Sequence, residues 1–186
     1  MPFKTTEISG LLIFEPAVFE DERGYFFESY NEELFRRQGV DIRFVQDNQS
    51  FSRYGVIRGL HYQLDPHAQA KLVRVIRGAI LDVAVDIRRN SPTYGKHVSV
   101  ELSADNKLQF LLPPGFAHGF SVLSETAEVA YKCDSFYSKE SEAGIRFDDP
   151  EINIHWRVPT DNAIVSSKDL DLPMLAGCRN TFQYIG

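Results

Sequence analysis

The chain has 186 residues, 20 of them Lys or Arg against 26 Asp or Glu, for a formal net charge of −6. That acidic balance, with no long basic run, argues against a general nucleic-acid binder. At 43% hydrophobic and 25% charged residues the composition is that of a globular protein, long enough to bury a core in one domain spanning 1–186. The opening Met1-Pro2-Phe3-Lys4-Thr5 has no apolar stretch of signal-peptide length, and no apolar run is long enough to span a bilayer, so no membrane partner is expected. Cys133 and Cys178 are the two cysteines. They lack CxxC spacing, against both a disulfide scaffold and a zinc knuckle, and the simplest reading is a reduced, cytoplasmic protein.

Residues 11–30 are strand-like, broken by turns at Glu15-Pro16 and Asp21-Glu22-Arg23-Gly24. Alternation puts Phe26 and Glu28 on one face. A glutamate on an aromatic strand usually faces water, but it also suits a site that must accept hydrogen bonds. Asn31 caps a short helix over residues 32–38, which Gly39 ends, with Leu34 and Phe35 on its apolar side. Residues 44–52 are polar and, taken alone, predict a loop, although Gln46 and Asn48 share a face at spacing two.

Val56-Ile57-Arg58-Gly59-Leu60-His61-Tyr62-Gln63 reads as a strand by its β-branched and aromatic content. Strict alternation would put Arg58 and His61 on opposite faces; a bulge at Gly59 would turn both into one cavity. A core histidine beside a surface arginine is the other reading, and this segment leaves both open. After a turn at Asp65-Pro66-His67, residues 71–80 form two strands about Gly78. Residues 81–87 alternate: Leu81, Val83, Val85 and Ile87 on one face, Asp82, Ala84 and Asp86 on the other. Carboxylates so spaced usually face solvent; a cavity on that side would make Asp82 a partner for a histidine.

Asn90-Ser91-Pro92-Thr93 is a turn, residues 96–102 and 107–112 are strands, and a stiff turn at Pro113-Pro114-Gly115 leads into a strand over 118–123. Residues 128–134 are a strand with Val129, Tyr131 and Cys133 on one face, and residues 136–142 leave the sheet. The tail from Glu151 is irregular, with a short helical turn expected over 170–176. About a dozen short strands with one or two short peripheral helices predict an all-β sandwich or jelly roll. Such folds keep an interior that holds a ligand, and dimerisation is one way to cover open strand edges.

Pro113-x-Gly115-x-x-His118 resembles the second motif of the cupins, which are double-stranded β-helix jelly rolls. Many cupins bind a metal through a His-x-His pair and a downstream glutamate in the first motif. Here the matching place offers His61 alone, followed by Tyr62 and Gln63. One histidine short, a tight divalent-metal site is disfavoured, so no metal is expected. His61 and His118 in one cavity would then be free to move protons or donate hydrogen bonds.

Taken together, Phe44-Val45-Gln46-Asp47-Asn48, the 55–63 segment, Lys71-Leu72-Val73-Arg74-Val75, Pro114-Gly115-Phe116-Ala117-His118-Gly119-Phe120, Tyr131-Lys132-Cys133 and Ser167-Lys168-Asp169 resemble the signature segments of the dTDP-4-dehydrorhamnose 3,5-epimerase family. The match runs over about residues 14–173, and the tail beyond Pro173 lies outside it. The resemblance implies a cofactor-independent isomerase that inverts C3 and C5 of a dTDP-linked 4-keto-6-deoxy sugar. By family match His61 is the base, Asp169 orients it, Tyr131 is the acid on the opposite face, and Lys71 places positive charge by the enolate oxygen. Arg23, Arg58 and Lys168 resemble the basic groups at or near the diphosphate. Glu28, Gln46, Asn48 and Glu142 resemble polar contacts to nucleotide and sugar. His118, steadied by Asp82, resembles a sugar contact, and Tyr137 a base-stacking residue. The strand holding Phe26 and Glu28 crosses, in this family, to the partner subunit of a homodimer. The alternatives are a 3- or 5-epimerase of the same fold, a metal-dependent cupin, or a non-catalytic sugar-binding cupin.

Overall fold

The computed structural model describes residues 2–185. In chain order it contains β1 (Phe3–Thr5), β2 (Leu12–Phe14), β3 (Val18–Asp21), β4 (Gly24–Phe27), α1 (Glu32–Arg37), β5 (Gln46–Arg53), β6 (Ile57–Gln63), β7 (Lys71–Arg77) and β8 (Ala79–Asp86). It continues through β9 (His97–Ser103), β10 (Gln109–Leu112), β11 (Phe116–Val122), β12 (Thr126–Cys133), β13 (Glu142–Gly144) and α2 (Ser167–Leu170). A six-stranded sheet has the order β1-β2-β10-β7-β12-β5, and a five-stranded sheet the order β13-β6-β11-β8-β9. The paired strands of both sheets run antiparallel, and consecutive strands such as β7 and β8 fall in different sheets, giving a jelly roll.

The main core lies between the two sheets. Val73, Val75, Phe110, Leu112 and Val129 from one layer meet Ile80, Ala84, Val98, Leu102 and Phe120 from the other. Two further clusters seal the outer faces. On the six-stranded sheet, α1 lays Phe35 against Phe14, Leu72 and Leu111. The helix begins where expected: the Asn31 side chain accepts the Leu34 N–H. On the five-stranded sheet, Leu81, Val83, Val85 and Ile87 pack under Phe147, Trp156, Leu175 and Phe182. The irregular tail is therefore half of a core. Its expected helical turn is split: α2 comes earlier and a 3₁₀ turn covers Leu175–Gly177.

The polar stretch expected to be a loop is instead β5, paired along its length with β12 from Gln46↔Cys133 to Arg53↔Thr126. Its polarity misleads because one face lines a cavity and the other lies near the surface, so no apolar face marks it as a strand. The inward face of β8 is also unlike a solvent-facing row: Asp82 and Asp86 are fully buried. Among the described residues no helix is long and apolar enough to cross a membrane.

Candidate functional site

The site is built where β6 departs from regular pairing. His118↔His61 and Phe120↔Arg58 are register partners of β11 and β6, so β6 spends one residue more than β11 between them. Gly59 makes this possible. Its φ is +114°, and a Cβ there would lie 2.6 Å from Gly119 Cα and from the His118 carbonyl oxygen. The bulge turns Arg58 and His61 into the same cavity, of about 530 Å³, with Lys71, His118, Tyr131, Lys168 and Asp169 on its walls. A neighbouring hollow of about 390 Å³ shares His61, Lys71 and Tyr131 and adds Gln46, Asn48, Tyr137 and Glu142. His61 comes from the five-stranded sheet; Lys71 and Tyr131 come from the six-stranded sheet that faces it.

Asp169 lies 108 residues from His61, yet its Oδ1 is 2.8 Å from His61 Nε2. Oδ2 accepts the Gly59 backbone N–H at 3.1 Å. The carboxylate is delivered by α2, whose N-cap Ser166 accepts the Asp169 N–H at 3.1 Å. Burial by itself would raise the Asp169 carboxyl, but the bonds from His61, Gly59 and Ser166 outweigh it and hold it below the usual aspartate value. A carboxylate can only accept, so in the neutral imidazole Nε2 carries the hydrogen and Nδ1 is left with its lone pair.

A second pair repeats this arrangement. His118 Nε2 lies 2.8 Å from Asp82 Oδ1. The His118 side chain is 9% exposed where that of His61 is 32%, so it sits deeper in the same space. Asp82 Oδ2 and Ser50 Oγ are buried with no partner among the described residues.

Burial pushes the Tyr131 hydroxyl above the usual tyrosine value; Cys133 adds to this and Arg58 opposes it. Burial likewise lowers the Lys71 ammonium, against Cys133, Asp82 and Glu142, which favour its charge. At the mouth, the Gln46 amide donates to Asn48 Oδ1 at 3.0 Å and accepts the Tyr137 N–H at 3.0 Å. The Tyr137 hydroxyl donates to Glu142 at 3.0 Å, and Glu142 pairs with Lys168 at 2.5 Å. Arg58 donates to Ser52 Oγ and the Phe51 carbonyl, so its guanidinium is steered by β5.

Eleven of the expected site residues, Tyr137 included, thus meet around two joined hollows. Arg23 and Glu28 do not. Arg23 sits in the tight turn of the β3–β4 hairpin, paired with Asp21, and Glu28, just beyond β4, accepts from Asn31. The hairpin is a separate two-stranded sheet whose Phe19, Tyr25 and Phe26 are exposed. Two positioning residues escaped the sequence reading. Ser166 carries a local signal, a serine three residues ahead of an acid at a helix start. Gln63 carries none: it accepts the Ser138 N–H and donates to the Phe136 carbonyl, fixing the loop that bears Tyr137. Among the described residues no group of three or more His, Cys, Asp or Glu side chains is placed to hold a metal ion.

A family model described as dTDP-4-dehydrorhamnose 3,5-epimerase matches residues 5–177. A protein of that name from Shigella flexneri is 57% identical over 167 residues, which cover 89% of this chain and 91% of the relative. A dTDP-4-dehydrorhamnose 3-epimerase from Streptomyces niveus is 35% identical over 97% of this chain and 86% of its own. Among solved structures, the dTDP-6-deoxy-D-glucose-3,5-epimerase of Legionella pneumophila in complex with dTDP-4-keto-L-rhamnose superposes with a TM-score of 0.94. It is 45% identical, over 99% of this chain and 98% of that one.

Proposed function

The chain belongs to the dTDP-4-dehydrorhamnose 3,5-epimerase family, and from that premise we propose how its residues divide the work. It is an isomerase that inverts C3 and C5 of a dTDP-linked 4-keto-6-deoxy sugar. Both carbons flank the C4 ketone, so loss of either proton gives an enolate. His61 takes a proton at Nδ1 while Asp169 supports the resulting charge. The C–H electron pair becomes the enolate double bond, and negative charge moves to the C4 oxygen, where Lys71 meets it. Tyr131, kept protonated by its raised pKa, returns a proton to the opposite face.

The observation that carries this reading is the placement of His61 and Tyr131 on facing sheets across one cavity. A proton returned from the side it left would regenerate the starting sugar, so inversion needs two walls. Arg58, His118, Lys168, Gln46, Asn48 and Glu142 bind the substrate around that pair. In D₂O, NMR of the thymidine-diphosphate keto sugar with enzyme will show deuterium at both C3 and C5; label at one alone, or at none, rejects the double inversion.

A second copy of the chain completes the site. Arg23, in a hairpin turn with exposed aromatics, and Glu28, just beyond it, do not line their own cavity, and β5 leaves one edge of the six-stranded sheet open beside Gln46 and Asn48. A partner's hairpin at that edge would bring both residues to the nucleotide. Sedimentation will give a dimer, and Phe26→Ser will weaken it; a monomer at working concentration rejects this. The two free cysteines favour a reducing cytoplasm, which fractionation of the source cells will test.

A further inference from the structure

Gln46 and Asn48 carry side-chain amides, and an amide has two unlike ends. Which end faces the substrate is set by the amide's other partners. Here the setting starts at the mouth. The Tyr137 backbone N–H can only donate, and it meets Gln46 Oε1 at 3.0 Å. That leaves Gln46 Nε2 to donate to Asn48 Oδ1, also at 3.0 Å. Asn48 Nδ2 in turn donates to Cys133 Sγ at 3.7 Å, within reach of a sulfur acceptor. The three bonds run in one direction, from a backbone donor to a thiol.

Cys133 lies at the centre of this wall. It pairs with Gln46 across β12 and β5 and with Lys71 across β12 and β7, and it shares a face with Tyr131 two residues before it. Gln46, Asn48, Lys71 and Tyr131 line the smaller hollow, while Cys133 is fully buried behind them. Burial pushes its thiol above the ordinary value, against Lys71 and Asn48, which lower it. The sulfur is therefore a neutral S–H at working pH: a weak acceptor for one amide hydrogen, and one that leaves the Lys71 charge unneutralised.

We infer that Cys133 is a positioning residue for substrate binding: it holds the Asn48 amide donor-first, so that the second Nδ2 hydrogen meets an acceptor oxygen of the nucleotide sugar. This rests on the reading above that Asn48 contacts the substrate. Turned over, the amide would set Asn48 Nδ2 against Gln46 Nε2, two donors facing each other. Gln46 could relieve that clash only by giving up the Tyr137 N–H and with it the mouth loop. Gln46 thus selects the orientation, and Cys133 anchors the selected end.

The test is steady-state turnover of the thymidine-diphosphate keto sugar by Asn48→Ala, Cys133→Val and the double variant. Valine fills the buried position and suits a strand, but it removes the acceptor. Asn48→Ala is read first: an unchanged KM overturns the substrate role of Asn48, and the inference with it. Given a raised KM there, Cys133→Val is expected to raise KM about 3–10-fold and to leave kcat within about twofold. In the Asn48→Ala background the same change is expected to move KM by less than about twofold, because the group that Cys133 acts through is gone. Three results overturn the inference while leaving Asn48 in its role. They are an unmoved KM in Cys133→Val, an equal rise in both backgrounds, and a fall in kcat at constant KM, the mark of a thiol acting on Lys71 instead. Cys133→Ala, read in the same cycle, decides the matter if circular dichroism shows that Cys133→Val does not fold.

Discussion

Asp82 and Asp86 stand on the same face of β8, and neither is exposed to solvent. Their surroundings differ completely. Asp86 is saturated: it accepts from the Arg88 backbone N–H at 3.0 Å, from the Arg88 guanidinium at 2.9 and 2.8 Å, from Ser91 Oγ at 2.6 Å and from Thr93 Oγ1 at 2.7 Å. Arg88 in turn stacks over the rings of Phe116 and Tyr184. Asp82 has His118 on one oxygen and, among the described residues, no partner on the other. A buried carboxylate with every lone pair engaged fixes a chain reversal. One with a single directed bond orients its partner histidine in the cavity. The cavity end of the barrel and the Asp86 corner are thus built to opposite rules, and variants at each should fail in opposite ways.

The largest effect belongs to the cavity. His61→Asn and Tyr131→Phe should each lower kcat by about 10²–10⁴-fold, because each removes a proton carrier, while leaving the unfolding midpoint almost unmoved. Turnover equal to wild type in either variant removes the role assigned to that residue. At the opposite corner, Asp86→Ala strands the largely buried Arg88 and should cost about 3–5 kcal/mol in urea unfolding. A loss below about 1 kcal/mol, the range of an exposed ion pair, would erase the contrast between the two aspartates.

The pH dependence sharpens the same comparison. Burial favours protonation of Asp86, but hydrogen bonds from Arg88, Ser91 and Thr93 prevail and lower its pKa from the ordinary 3.8. A depressed carboxyl stabilises the fold fully above its unfolded value and loses that contribution as pH falls through the lower folded value. Stability should therefore drop steeply below about pH 4 in the wild type. Asp86→Asn should flatten that acid limb, and an unchanged slope would refute the linkage. The smallest effect is expected from Ser166→Ala, which removes the cap of α2. It should cost about 1 kcal/mol, seen as a lowered Tm, with a modest fall in kcat from a less firmly held Asp169. No change in either would leave α2 positioned by its packing alone.

Much of this was legible locally. Asn31 ahead of 32–38, the glycine turn at Gly78, the alternation along β8 and the bulge expected at Gly59 each depend on a few neighbouring residues, and each is found. Polar strands were not legible: β5 shows Gln46, Asn48 and Ser50 to a cavity, so the burial signal that betrays other strands is missing. The tail hid its role because Trp156, Leu175 and Phe182 act in no period of their own and are placed by the sheet they cover.

The sequence by itself determined the apolar strands, the short helix and the bulge glycine, since these follow from backbone and side-chain chemistry at short range, while the set of site residues came from its resemblance to a family. Only the tertiary structure decided that Asp169 reaches His61, that Asp82 serves His118 while Asp86 serves the fold, and that the Arg23 hairpin leaves its own cavity. Those choices depend on which strands become neighbours. That is fixed by burying apolar faces between two sheets across long stretches of chain, and no local pattern records it.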